Sequence, residues 1–565
     1  MVKYLNQNYE LEILIEELTI NNYYQQLDLI LSNYQHLKDN EKFSKISKRK
    51  EWGIYYTNFK IAYQITEETL KFNNKDFNKI KFFEPCAGLG IFVITYLEYI
   101  YNHSIKNINI EDIIKNIYIA DIDNEAIIIA KKLIKKFVSI KWNLEINLLD
   151  ENIFIGNVIN SNNYKIHSTE TLFNNHIKFD LILTNPPYKN LKASSKELNS
   201  EEIEDYKENC KQLAKEIRNK LNYQQGTLNL YKIFLELIYT VYSDENACIG
   251  VIIPSSILTD YTSSLLRKYL FTNALINNIF TLKENSKEFN DISQSLCYFG
   301  SIKKKNIYNI LTLIEENKTK YIIDLSKIEN IDENLPIIKL NNTSLNILNK
   351  LHKFEKIKQN KNIINLRGEL DLTLNKKYIT HEKTKYNLLQ GKNIAEWTFS
   401  DNSSYVKESF VVEEISKKII FSKKERIICH QISNISNKKR LKFSKIPSNY
   451  ILGNSCNFIS VKNFDIDYLL GILNSYLMDW HFRLFSSNNH INNYEIDNLP
   501  IAINNQIEPL IKECVEAILK GNKQEIIKLN KLIFKLYELN KNEIIEVLAN
   551  YDDEYVIQLK KEYFE

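Results

Sequence analysis

Proline and glycine are scarce in this chain: eight prolines and twelve glycines serve 565 residues. Collagen-like, elastic and proline-rich linker architectures are thereby excluded, and each place where these residues cluster stands out. The seven cysteines (Cys86, Cys210, Cys248, Cys297, Cys429, Cys456 and Cys514) lie far apart, and none forms a C-x-x-C pair. Neither a disulfide framework nor a zinc site is suggested, no metal is expected, and a reducing cytoplasm fits. No apolar run approaches the length of a bilayer span, and the N-terminus, Met1 to Asn6, has no signal-type apolar region. The net charge is +4, too small for this length to name a partner, so charge has to be read locally. A hydrophobic content of 44% and a charged content of 25% are those of a globular protein of two to four domains.

Against this background, two adjacent prolines carry weight. In Lys178 to Tyr188 an apolar run of strand length, Phe179-Asp180-Leu181-Ile182-Leu183-Thr184, ends in Asn185-Pro186-Pro187-Tyr188. The prolines hold the backbone extended and rigid just past a buried strand. A side-chain amide, a fixed carbonyl and an aromatic face are what a site needs to hold a planar amine. The bland alternative, a stiffened turn, seldom uses all four residue types together.

Upstream, Ile80 to Phe83 reads as a strand ending in Glu84-Pro85-Cys86-Ala87-Gly88-Leu89-Gly90, with an apolar helix opening near Phe92. Two of the twelve glycines are spent there, where they let backbone N–H groups approach a ligand at a helix N-terminus. A second strand, Ile117 to Ala120, ends in Asp121-Ile122-Asp123. Asp121 is placed to accept hydrogen bonds from ribose hydroxyls, whereas Asp123 fits a helix cap better. Together the two segments point to a nucleoside-containing cofactor. Before them, Gly53 to Asn58 combines a turn glycine, Tyr55, Tyr56 and Thr57, with Thr57 expected as the cap of the following helix. A third strand, Ile153 to Ile155, leads through Gly156 to Asn157. Strand ends near 85, 121, 157 and 185, with helices between the first ones, describe an α/β, doubly wound, Rossmann-like sheet whose ligand edge is the carboxyl end of its strands.

The rest of the chain frames this centre. Residues 1–50 read as a helical segment without chemistry of its own, ending in a basic run. Residues 189–227 form a charged, helical excursion over the site. The catalytic domain is expected over 51–318, a mixed α+β domain with few clear helices over 319–505, and a helical tail over 506–565. Within 416–445, ten Lys or Arg stand against one acidic residue, Glu425. Such a run can track a phosphate backbone, and a solvated lysine-rich face is the alternative.

The order Tyr-Tyr-Thr, Glu-Pro-Cys-Ala-Gly-Leu-Gly, Asp-Ile-Asp, Asn-Pro-Pro-Tyr and a C-terminal basic domain resembles the γ-class N6-adenine DNA methyltransferases, TaqI-like, of type II restriction–modification systems. The resemblance is strong over 51–300. It continues through Leu388 to Ile394, Leu473-Asn474-Ser475 and Asn498-Leu499-Pro500, phrases like those of the family's target-recognition domain. It does not cover residues 1–50. It implies S-adenosyl-L-methionine as cofactor and adenine in double-stranded DNA as substrate, with a separately encoded restriction endonuclease as an optional partner. The cofactor set it implies is Tyr56, Thr57, Glu84, Pro85, Ala87, Gly88, Gly90, Asp121, Ile122 and Asn157. Asn157 stands where the family often has Asp, and Asn58 where it often has Pro. Asn185, Pro186, Pro187 and Tyr188 would be catalytic. Tyr188 and Phe289 would pack on the flipped adenine, and Lys438, Lys439 and Arg440 would contact DNA. Methylation of a glutamine amide on protein, a catalytically silent DNA-binding role, and a fused enzyme that also cuts DNA are the competing readings. The large C-terminal domain, the intact Asn-Pro-Pro-Tyr with its paired cofactor signals, and the lack of a nuclease motif argue against them in turn.

Overall fold

The computed structural model describes all residues except 1–9, 44–45, 48–52, 54, 104–105, 161–164, 193–199, 285, 287–293, 306–309, 402, 487–488 and 565. It divides into two compact units, Met1–Ile337 and Ile338–Glu565.

The first unit is built on a ten-stranded sheet. Its strands are β1 (Phe82–Glu84), β2 (Ile117–Asp121), β3 (Ile153–Ile155), β4 (Phe179–Thr184), β5 (Ser243–Pro254), β6 (Ala274–Ile276), β7 (Asn278–Leu282), β8 (Leu296–Lys303), β9 (Ile310–Glu315) and β10 (Lys320–Asp324). The spatial order is β10-β9-β7-β8-β5-β4-β1-β2-β3, with β6 also pairing β8. Strands β3, β2, β1, β4 and β5 are parallel, and β8 joins β5 antiparallel. In β4 every residue except Asp180 is buried, which is why the strand reads as a continuous apolar run rather than an alternation. The order reverses between β1 and β4, so the loops leaving these two strands diverge and open a crevice at their carboxyl ends.

Four helices carry the site's supporting residues: α1 (Tyr23–Asn40), α2 (Phe59–Leu70), α3 (Ile91–Asn102) and α4 (Asn124–Trp142). The α1 positions Leu27, Ile30, Leu31, Tyr34 and Leu37 recur at helical spacing and are buried in one core with Ile61 and Ile65 of α2 and Phe137 of α4. Residues 1–50, expected as a separate preamble, therefore contribute a helix to the catalytic core. Helix α2 lies directly on the sheet because two glycines face each other there: Gly250 of β5 pairs with Gly300 of β8. A Cβ on Gly300 would sit 2.5 Å from the backbone nitrogen of Thr69, and one on Gly250 would collide with the Thr69 hydroxyl.

The sheet continues beyond the strand at Leu296, and its last two strands, with a short helix at Leu325–Ile331, place the end of the unit at Ile337 instead of 318. The sequence pattern stops short because β10 is an exposed edge strand that mixes Lys and Tyr with only partial burial.

The second unit holds two four-stranded sheets. One joins Ile363–Arg367, Cys456–Val461, Arg426–His430 and Phe443–Ile446, all antiparallel. The other joins Ile379–Thr380, Tyr405–Val406, Tyr386–Leu389 and Tyr450–Leu452. Helices are more prominent than expected here, with Ile466–Leu473 and Tyr476–Phe485 almost wholly buried. The tail helices belong to the same unit: the buried Asp479 accepts from the backbone N–H groups of Arg440 and Leu441 and from the Tyr551 hydroxyl, at 2.6–2.8 Å. Among the described residues no helix is long and apolar enough to cross a membrane.

The glycine pair gives a direct test of how α2 is seated. Gly300→Val, which forces branched carbon into the Thr69 backbone, is expected to lower stability in urea unfolding by about 3 kcal/mol; an unchanged midpoint would mean that α2 does not rest there.

Candidate functional site

At the carboxyl ends of β1, β2 and β4 lies a cavity of about 450 Å³. Its floor is the turn after β1. Ala87 donates its N–H to the Ala120 carbonyl (2.9 Å), and Gly90 closes the turn onto the Ala87 carbonyl (2.7 Å) before α3 begins. Gly88 and Gly90 both have positive φ, +50° and +75°. At Gly88 an added Cβ would also lie 2.8 Å from the Tyr56 ring. Glycine is thus required there both by conformation and by space.

Glu84, Pro85, Ala87 and Gly88 line the cavity from this turn, Asp121 and Ile122 from the end of β2, and Asn157 from the loop after β3. Tyr56 and Thr57 line it from the segment before α2, and Asn185 and Pro187 from the end of β4. Gly90 supports the turn without lining it, and Pro186 is buried beside it. Phe289 lies outside the described residues.

Glu84 is only 1% exposed, and among the described residues neither carboxylate oxygen has a well-aligned hydrogen-bond partner, although the Phe92 and Val93 amides lie close by. Burial drives its carboxyl well above the usual range, against the pull of the Phe92 and Val93 amides at the start of α3. A buried acid in this state fits a cationic ligand group that would hold it ionised. Asp121 accepts from Gly88 N through Oδ2 (2.7 Å) and from Asp123 N through Oδ1 (2.8 Å). Burial pushes it up to about 6 although both amides pull it down. Each oxygen keeps a lone pair for a ligand hydroxyl. Asp123, as its position suggests, caps α4 by accepting from Glu125 N. Asn157 accepts from Ile159 N (2.9 Å), which turns its NH₂ outward as a donor.

The amide of Asn185 is fixed by two neighbours that precede α2. Its Nδ2 donates to the Tyr55 carbonyl (2.7 Å) and to the Thr57 hydroxyl (3.0 Å). A carbonyl can only accept, so the amide has one permitted orientation, and Oδ1 is left buried with no partner among the described residues. Thr57 is free for this because Asn58, rather than Thr57 as expected, caps α2: its side chain accepts from Ile61 N at 2.9 Å. Asn offers the cap without the hydroxyl having to serve twice.

Tyr188 does not line the cavity. Its hydroxyl donates to the Ile252 carbonyl (3.0 Å), and its ring stacks on Tyr55 at 5.6 Å and 22°. Tyr55, which does line the cavity, belongs to the Tyr-Tyr-Thr motif although the expected cofactor set began at Tyr56. The excursion over 189–227 contains a helix, Ser200–Lys220, whose Tyr206, Asn209, Cys210 and Leu213 form another wall. Their spacing, three and four residues apart within a charged helix, was the sign of a face turned inward.

The basic run looks different in three dimensions. Arg440 is 1% exposed: its guanidinium donates to Ser486 Oγ (3.0 Å) and the Ser433 carbonyl (3.2 Å) and stacks on Phe482. Lys439 is held by Glu396 and the Asn474 carbonyl, both at 2.6 Å. Lys438 is exposed and paired with Asp552. Arg426 is fully buried against Glu369. The expectation that 438–440 present three cations to DNA is corrected accordingly: two of them are structural, because this loop is folded into its own unit. Lys417, Lys423 and Lys424 are the exposed cations of 416–445 with no ion pair among the described residues.

Comparison with known families places these features. Residues 115–289 match the Eco57I restriction-modification methylase family, and residues 386–501 match the TaqI-like C-terminal specificity domain; together they take in more than half of the chain. No curated protein matches the chain in sequence. Among solved structures, it is similar to the Type IIL restriction-modification enzyme MmeI in complex with DNA, with 13% identity, 95% of this chain and 82% of that chain covered, and a TM-score of 0.54. A DrdV–DNA complex is similar at 10% identity, 88% and 60% coverage, and a TM-score of 0.55. So is the ATP-dependent Type ISP enzyme LlaBIII bound to DNA, at 12% identity and a TM-score of 0.55, with 87% of this chain but 41% of that one covered. At these identities the likeness establishes the fold.

The state of Glu84 leads to a pH-dependent prediction. Because burial raises its folded-state pKa, keeping this acid inside the ligand-free protein costs stability at neutral pH, where the unfolded chain gives up the proton more readily, and this cost disappears below about pH 4, where the unfolded chain is protonated as well. Glu84→Gln is expected to raise the ligand-free melting temperature at pH 7.5 by a few degrees, with the gain shrinking toward pH 4. A lower melting temperature at pH 7.5 would show that the carboxylate is already satisfied.

Proposed function

We propose, from the premise that the chain belongs to the restriction–modification methylases with a TaqI-like specificity domain, that this DNA methyltransferase moves a methyl group from S-adenosyl-L-methionine to the N6 amino group of a flipped-out adenine. The observation that carries this reading is the orphaned Oδ1 of Asn185, a buried acceptor fixed in direction at the edge of the cavity.

The cavity's donors and acceptors fit the cofactor. Glu84 would meet its ammonium group, the turn at Ala87 and Gly88 would carry the methionine part with Thr57, and Asp121 would hold the ribose hydroxyls. Asn157 and Ile122 would flank the adenine ring, with the Asn157 NH₂ donating where an Asp would accept. When bound, S-adenosyl-L-methionine supplies an electrophilic methyl group on a sulfonium.

The exocyclic nitrogen of adenine is a poor nucleophile because its lone pair is conjugated with the ring. Asn185 Oδ1 and the Pro186 carbonyl would each accept one N–H bond from it, favouring a tetrahedral nitrogen whose lone pair points at the methyl carbon. Pro186 and Pro187 keep the two acceptors from drifting apart. The target atom is out of reach inside a duplex, so the base has to leave the stack. Tyr188 would receive it, and because its ring lies on Tyr55 the two rings form one platform. The TaqI-like specificity domain supports DNA over protein glutamine as the substrate. A separately encoded restriction endonuclease is an optional partner of such a modification role.

Asn185→Ala is expected to lower methyl transfer to DNA by at least about a thousand-fold, while calorimetric S-adenosylmethionine binding stays within a few-fold of wild type; retained transfer would refute the role given to the amide. Tyr188→Ala is expected to diminish the fluorescence rise of 2-aminopurine placed at the target position, and an unaltered rise would remove Tyr188 from base capture.

A further inference from the structure

Helix α1 lies outside both matched regions and outside the residues that would touch substrate or cofactor, yet two of its side chains reach the back of the pocket. Tyr34, 1% exposed, donates its hydroxyl to Asp123 Oδ2 at 2.8 Å. Lys38, 2% exposed, places Nζ 3.2 Å from the same oxygen, 2.7 Å from Glu125 Oε2 and 3.0 Å from Glu41 Oε1. Asp123 is thereby held at both oxygens: Oδ1 caps α4 and Oδ2 is held by α1. Its own backbone N–H donates to Asp121 Oδ1, and Asp121 Oδ2 accepts from Gly88. A continuous set of hydrogen bonds therefore runs from α1 through Asp123 to Asp121 and on to the glycine turn. A second route is steric. The Tyr34 ring meets the Tyr56 ring edge to face at 5.9 Å, and Tyr56 covers Gly88 so closely that no Cβ would fit between them.

We propose that Tyr34 and Lys38 are positioning residues of the cofactor site, fixing the Asp121 carboxylate through Asp123 and the glycine turn through Tyr56. The proposal rests on the reading of this pocket as the S-adenosylmethionine site. Helix packing alone does not require these groups. Leu27, Ile30, Leu31 and Leu37 already bury the apolar face of α1, and a hydroxyl and an ammonium add nothing to that burial. Their placement is explained by what they hold. Lys38 is the cation among Glu41, Asp123 and Glu125, and it offsets the charge of Asp123, whose repulsion helps to hold the Asp121 carboxyl up.

A double-mutant cycle on the full chain tests this, using calorimetric binding of S-adenosylmethionine together with steady-state methylation. Tyr34→Phe keeps the ring on Tyr56 and removes only the hydroxyl. It is expected to weaken binding about ten-fold and to raise the cofactor KM by a similar factor, with kcat within about two-fold. In an Asp121→Asn background the same substitution is expected to cost less than about two-fold, since the group it acts through has already been altered. Lys38→Met is the second variant, with the same pattern expected. If the fold-losses of Tyr34→Phe and Asp121→Asn multiply, or if Tyr34→Phe binds like wild type, the positioning role is wrong while the cofactor reading stands. If the wild-type chain binds no S-adenosylmethionine, both fall.

Discussion

A carbonyl oxygen cannot donate a hydrogen bond, and from this the orientation of Asn185 follows. With the Tyr55 carbonyl and the Thr57 hydroxyl on its NH₂ side, the amide must turn Oδ1 the other way, where no described residue bonds to it. The segment 55–57 can do this only because α2 begins directly after it, capped by Asn58 and lying on the Gly250–Gly300 pair. Two glycines in the middle of a sheet and an amide at its edge thus belong to one construction. The helix approaches closely, its N-terminal segment comes within reach of β4, and the acceptor is set. An unpaired buried acceptor is unfavourable in the resting protein, as is the unpaired Glu84. Both become favourable in the proposed reaction, one on binding the amine and the other on binding an ammonium group.

The two units divide the work in different ways. In the first, charge is concentrated where a ligand would meet it: Glu84 and Asp121 face the cavity, with Asp123 and Lys38 behind them. In the second, much of the charge that looks available in one dimension is internal. Arg426 with Glu369, Arg440 with two carbonyls and a serine, and Lys445 with Asp467 tie loops to strands and helices. A specificity domain has to hold its reading loops still, and buried arginines are suited to that because their terminal N–H groups fix several acceptors at once.

The parallel half of the sheet, its carboxyl-edge turns and the Asn-Pro-Pro-Tyr motif were legible because each is written locally: a buried strand as an unbroken apolar run, a turn as paired glycines, a stiff loop as paired prolines. What was not legible depends on partners distant in sequence. No local pattern distinguishes Arg440, folded inward, from Lys417, which is exposed, and a count of cations treats them alike. The last two strands of the sheet, Ile310–Glu315 and the edge strand Lys320–Asp324, are only partly buried, so the end of the first unit was set too early. Thr57 and Asn58 are both good helix caps, and only the position of Asn185, more than a hundred residues away, decides between them. For the same reason α1 reads as a plain amphipathic helix until Asp123 is seen beside it.

Methylation of adenine N6 in duplex DNA is the reaction proposed for this chain. It is tested most directly by expressing the full chain in a host without DNA methylation and sequencing the unamplified DNA by a single-molecule, modification-sensitive method. N6-methyladenine confined to one short sequence, and absent with the Asn185→Ala variant, is the expected outcome. Genomic DNA without a modified base, or with methylation on cytosine, would contradict it.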